Sequence, residues 1–209
     1  MRGKAEVKSR SLPLLYTLCI SLLWGCTSRA PGEPNAATLH EQAILVLREG
    51  NDREHLEKAL ELTTLAVEKD PNYPYALNTR AQVLLELGRH EESIADLERL
   101  VAIKDFPERR MFLCLVKDVA PGHDEDANAC YHSVAATYKE IEGELAYRNI
   151  NYLFALKMAN AQMFQIEADR FIAEIDEDSE KWDPYDFKRD LLETDRDELL
   201  EHFVGTPGN

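Results

Sequence analysis

From residue 37 to residue 141 the apolar side chains return at intervals of three and four, and no stretch alternates as a half-buried strand would. In the clearest run, Ala59, Leu60, Thr63, Ala66 and Val67 hold that spacing until Asp70-Pro71 ends it. Proline stops a helix there because it lacks an N–H and its ring collides with the turn before it. Further breaks fall at Gly50-Asn51-Asp52-Arg53, at Gly88 and at Ala120-Pro121-Gly122-His123-Asp124. A chain punctuated in this way folds into antiparallel helical hairpins, so the expected class is all-α. Of its 209 residues 44% are hydrophobic and 30% charged, which excludes low-complexity disorder and a multi-span membrane protein. The length allows one domain, or one and a half, with a real core. With 24 Lys+Arg against 39 Asp+Glu the net charge is −15, and nucleic acid is not an expected partner.

Residues 70–104 read DPNYPYALNTRAQVLLELGRHEESIADLERLVAIK. This segment resembles a tetratricopeptide repeat (TPR), a 34-residue helix-turn-helix unit. Ala81 stands where the first helix needs a small residue, Gly88 where that helix ends, and His90 at the usual tyrosine position. Ser93 replaces the small residue at the closest helix–helix contact, and Ile94, Leu97 and Leu100 line the second helix. The preceding hairpin fits with a longer turn, its first helix running from Ala37 to Glu49 and Ala43 facing Ala59. A third pair, Pro107 to Val119 and Glu125 to Ile141, keeps the spacing and little of the consensus. Three such units are about the number needed to bury a continuous core. The resemblance implies a peptide or protein partner held in the groove that the first helices line. Its positions are His40 and Ile44, then Tyr75, Asn78 and Gln82, then Met111 and Leu115, the last pair placed to within one residue. Asn78 and Gln82 each offer a donor and an acceptor to an extended backbone. The family's carboxylate clamp needs basic residues at such positions and finds none here, which disfavours capture of a chaperone tail. The alternative is that these residues are solvated helix faces.

Cys114 and Cys130 are 16 residues apart, the separation of the small pair Ala43 and Ala59. They therefore face each other across the third hairpin, within the Cα distance a disulfide needs, and an oxidising compartment would let them pair. The alternative is two buried free thiols acting as small hydrophobes.

From Glu144 to Ile175 the residues Ile150, Phe154, Ala161, Phe164, Ala168, Phe171 and Ile175 recur at helical spacing. One long amphipathic helix, or two broken near Asn149 or Asn160, would close the stack by covering its last open face. A coiled-coil dimer is the alternative, with Lys157 interrupting its seam. A break over Asp176 to Pro184 precedes two short helices, Tyr185 to Glu193 and Asp195 to Phe203, the latter capped by Thr194 or Asp195. Gly205-Thr206-Pro207-Gly208 frays from the end. The domains are thus a repeat region at 37–141 and a helical capping region at 142–204.

Sites for chemistry are sparse. His90-Glu91-Glu92-Ser93-Ile94 lacks the second histidine of a zinc-protease helix, and no Cys-x-x-Cys or phosphate-cradling loop occurs. Ser93 and Ser133 fall within helices rather than on a nucleophile elbow. His123-Asp124-Glu125-Asp126 with Asn128 begins like a calcium loop, but Ala129 and Ala135 stand where glycine and the bidentate glutamate are needed. Asp176-Glu177-Asp178-Ser179-Glu180 fails in the same way at Phe187. No metal, cofactor or catalytic residue is expected, and the chain is not expected to be an enzyme.

The N-terminus supplies an address. Arg2, Lys4, Lys8 and Arg10 precede an uncharged stretch from Leu12 to Trp24. As a helix that stretch spans about 20 Å, short of a ~30 Å bilayer core. The order is that of a secretory signal peptide, a short anchor being the alternative. Leu23-Trp24-Gly25-Cys26 resembles the lipobox of bacterial lipoproteins, with Trp24 in place of the usual small residue. The resemblance implies a signal peptide over 1–25, acyl chains (palmitate among them) on Cys26, and a flexible tether through 26–36. Cleavage removes four basic residues and one acidic one, taking the charge from −15 to −18. Thr27 after the cysteine, rather than aspartate, implies the outer membrane, facing the periplasm. Two acyl chains hold a protein stably where one holds it reversibly. The expected role is a lipid-anchored adaptor that recruits an envelope protein or peptide, in envelope, secretion or pilus assembly. The alternative is a substrate-capturing component of a transport system, with its ligand between the repeats and the closing helix. Cys26→Ser should leave an unlipidated chain that partitions into the aqueous phase of a detergent separation; a mutant still processed and still membrane-bound overturns the lipobox.

Overall fold

The computed structural model describes residues 33–174 and 188–204. The signal segment, Cys26, most of the tether, Ile175, the Asp176–Pro184 break, Tyr185–Phe187 and the end from Gly205 lie outside the described residues. The chain divides into Met1–Glu33 and Pro34–Asn209, and the elements below belong to the second unit. All regular structure among the described residues is helical.

The first hairpin is α1 (Ala36–Glu49) and α2 (Arg53–Lys69). Helix α1 starts one residue earlier than the apolar spacing indicates, because Asn35 accepts the Thr38 amide N–H at 2.9 Å and satisfies an otherwise orphaned donor. Asp52 caps α2 in the same manner through the amides of Glu54 and His55. Ala43 and Ala59 are both fully buried, so the two backbones approach closely.

The second hairpin is α3 (Pro74–Glu86) and α4 (His90–Ile103). Pro74 opens α3, where no N–H is required. Gly88 closes it at φ +72°, a left-handed conformation that other residues resist, and lets the Arg89 N–H reach the Leu84 carbonyl at 2.8 Å. Ser93 donates to the Ala81 carbonyl at 2.7 Å, so its hydroxyl is satisfied inside the closest contact of the pair. Arg80 forks onto Asp96 with two bonds of 2.6 Å, joining α3 to α4.

The third hairpin is α5 (Pro107–Val119) and α6 (Asp124–Glu142). Cys114 and Cys130 form a disulfide across it, Cα to Cα 5.4 Å. Asp124, Glu125 and Asp126 make the first turn of α6, where negative charge meets the positive end of the helix dipole. Helix α2 packs on α3 and α4 on α5, so the three hairpins form one stack.

The closing region is broken at both asparagines rather than continuous. A 3-10 helix covers Gly143–Arg148, and Asn149 caps α7 (Ile150–Met158) through the Asn151 amide. Asn160, at φ +48°, then turns the chain into α8 (Met163–Glu174). Six of the nine residues of α7 are buried, namely Tyr152, Leu153, Phe154, Ala155, Leu156 and Met158. A helix apolar on every side belongs inside a core, which is why it ends where the long amphipathic reading would continue it. Lys157, which interrupts the seam, donates to the carbonyls of Leu191 and Thr194. Burial pushes its pKa down. It thereby holds a π-helical turn, Lys188–Glu193, ahead of α9 (Arg196–Val204). Asp195 caps α9 by accepting the Glu198 amide at 2.8 Å.

Reducing the disulfide, or making Cys114→Ser, should each lower the melting temperature, the bridge contributing about 3 kcal/mol for a loop of this size. The two effects should not add. Free, alkylatable thiols at both positions of the native protein would exclude the bridge.

Candidate functional site

On α3, Tyr75, Asn78 and Gln82 lie on one side of the helix, and Glu86 lies one turn beyond Gln82. Tyr75 is 65% exposed. Gln82 is also open, while Asn78 is half-buried. Helix α1 borders this face and is tied to it by His40, whose Nε2 shares a 3.0 Å hydrogen bond with the Thr79 hydroxyl. Burial lowers the His40 pKa, against a smaller opposing effect of Glu41, so the imidazole is neutral at pH 7. Its ring stands edge-on to Tyr73 with centroids 5.9 Å apart and is tilted against Tyr75 at 6.2 Å. Tyr73 and Tyr75 are 5.6 Å apart. Three rings thus form an aromatic shelf between α1 and α3. Ile44, one turn along α1 from His40, is half-buried beside it.

Met111 and Leu115, expected in the same groove, are 8% exposed each and belong to a buried cluster with Leu191 and Leu199. They are not available to a partner. Helix α9 packs on α5 and covers this face. Its Arg196 Nη2 reaches both carboxylate oxygens of Asp118 at 2.7 and 2.6 Å, and its Nε donates to the Met158 carbonyl at 2.9 Å. Asp118 also accepts the Tyr131 hydroxyl at 3.1 Å. Burial, then the Asp118 charge, raises the pKa of that fully enclosed phenol. The first-helix face is therefore open along α1 and α3 and filled by the chain itself at α5.

Sequence spacing locates His40, Tyr75, Asn78 and Gln82 but misses Tyr73, Thr79, Glu86 and the Asp118–Arg196 pair. Tyr73 sits beside the proline that marks the break, where an aromatic reads as punctuation rather than as part of a surface. Asp118 and Arg196 are 78 positions apart and share no local signal. Cys26 lies outside the described residues.

Residues 62–95, from within α2 to the middle of α4, match the tetratricopeptide repeat family. Comparison with the curated proteins and with the solved structures finds no match. The match and the paired helices together define a TPR-like helical repeat stack. Repeats of that family are protein-interaction modules, typically without catalytic activity.

Arg196→Ala should detach α9. The Asp118 side chain is 4% exposed and would be left without its cation, a loss on the order of 3 kcal/mol. Hydrogen exchange of residues 196–204 should rise towards that of an isolated peptide while α1 to α4 stay protected. Unchanged protection of 196–204 would show that Arg196 does not hold the helix.

Proposed function

We propose that this chain is a lipid-anchored adaptor of the bacterial envelope that holds a protein partner on the face shared by α1 and α3. The observation that carries the reading is the aromatic shelf of His40, Tyr73 and Tyr75 continued by Asn78 and Gln82. It joins an apolar anchor to amides that can replace the hydration of a bound backbone. The bond from His40 to Thr79 and the packing of α1 on α3 preorganise the shelf, which lowers the ordering cost of binding. The open face presents tyrosines, amides, the Glu86 carboxylate and a neutral histidine bonded to threonine, a set suited to holding a peptide. A cleft between α2, α3 and α4 holds its charged side chains in pairs, Arg80 with Asp96 and Arg89 with Glu92. No helix among the described residues is long and apolar enough to cross a membrane. Attachment in this proposal rests on acylated Cys26, through a tether of roughly nine residues that spans about 15–18 Å as a flexible coil. The basic, apolar and lipobox order of residues 2–26 supports a lipoprotein signal, and Thr27 in place of aspartate supports an outer-membrane position facing the periplasm.

Replacing Asn78 and Gln82 together by alanine should leave the fold intact, because partly exposed helix positions accept alanine. Partner affinity should weaken by roughly 1–3 kcal/mol. Glu61→Ala and Glu68→Ala, on exposed positions of α2, should have little effect. Isothermal titration with the partner decides; loss of binding from the α2 pair alone would move the site off the first helices.

A further inference from the structure

Two other aromatics of this protein, the exposed Phe106 and the buried Tyr147, carry the protein's own cations. Lys104 and Arg109 lie 4.5 and 5.0 Å from the centroid of the Phe106 ring. Arg170 and Arg148 lie 3.9 and 5.7 Å from that of Tyr147. The shelf of His40, Tyr73 and Tyr75 has no cation over it among the described residues, although Tyr75 is 65% exposed. Farther along the same side of α3, Glu86 has neither a hydrogen bond nor an ion pair among the described residues. Glu86 is exposed, and partial desolvation raises the pKa of its carboxyl. Tyr75 and Glu86 are eleven residues apart, three helical turns to within 20°, so they share one stripe about 16 Å long. Asn78 and Gln82 lie between them. At its other end the first-helix face already shows what it accepts: an arginine-bearing segment, with Arg196 seated on Asp118. The surrounding residues favour the same sign of ligand, since Ala36–Ile103 holds 13 acidic residues and 7 basic ones.

We infer, building on the groove reading above, that the partner presents an extended segment with two lysine or arginine side chains about five residues apart. One cation rests on the Tyr73–Tyr75 rings, as cations do on the electron-rich face of an aromatic. The other pairs with Glu86. The spacing follows from the 16 Å stripe and the ~3.3 Å rise of an extended chain. Between the two anchors the amides of Asn78 and Gln82 bond the peptide backbone.

The test places a photo-crosslinking phenylalanine at position 75, 82 or 61 of the full-length chain in intact cells. The captured peptide is sequenced, and that peptide, made synthetically, is titrated against the purified protein. Capture from positions 75 and 82 of one segment with two basic residues four to six apart is the expected result. Glu86→Gln and Tyr75→Leu should each weaken its binding about tenfold, and Glu86→Lys more. Raised salt should weaken the wild-type complex through screening. A captured segment without basic residues, a second copy of this chain, or unchanged affinity in Glu86→Gln and Tyr75→Leu would overturn the charge inference while leaving the groove in place. Capture from position 61 only, or from none of the three, would overturn the groove reading itself.

Discussion

The whole stack depends on how closely the two helices of each hairpin approach, and that distance is set by a pair of small side chains. In the first hairpin the pair is Ala43 and Ala59, both fully buried. In the second it is Ala81 and Ser93, the hydroxyl bonded to the facing carbonyl. In the third it is Cys114 and Cys130, joined covalently. One geometric requirement is met by three chemistries: methyl packing, a hydrogen bond and a disulfide. A larger residue at any of these sites would part the helices and displace every hairpin stacked beyond it, because cores packed at crystal density do not absorb extra volume.

With that spacing fixed, polar groups decide which surfaces stay open. Arg80 and Asp96 neutralise each other between α3 and α4. Asp118 is committed to Arg196 and Tyr131. Lys157 donates to two carbonyls ahead of α9, those of Leu191 and Thr194. Ion pairs as enclosed as Asp118–Arg196 contribute little over an apolar contact of the same shape, yet leaving either partner alone is costly. Their effect here is positional. They seat α9 on α5 and close one end of the first-helix face, so that the proposed partner has only the stretch from His40 to Glu86 to occupy.

The aromatic shelf illustrates how such a surface arises. Tyr73 precedes the proline that starts α3, Tyr75 follows it, and His40 comes from the neighbouring hairpin. The proline brings the two tyrosines to one end of the helix, and the packing of α1 against α3 delivers the imidazole. Burial keeps that imidazole neutral, so it joins the rings as an aromatic and leaves the face without positive charge of its own there.

Residues a few positions apart carried the legible part of this protein. The three-and-four spacing, the Asp70-Pro71 stop, Gly88 and the small pairs determine the helices, their hairpins and the facing cysteines, because backbone geometry converts short sequence intervals directly into faces and turns. That Tyr75, Asn78 and Gln82 share one side of α3 was readable for the same reason. Met111 and Leu115 were not, since their identical placement on α5 says nothing of a helix some 80 residues later that covers them. Nor does periodicity separate one long closing helix from a 3-10 turn and two short helices, since Asn149 and Asn160 fit either until the buried flanks of α7 exclude an amphipathic rod. Local intervals therefore determined the repeat, whereas contacts between distant segments alone decided which end of the first-helix face remains open.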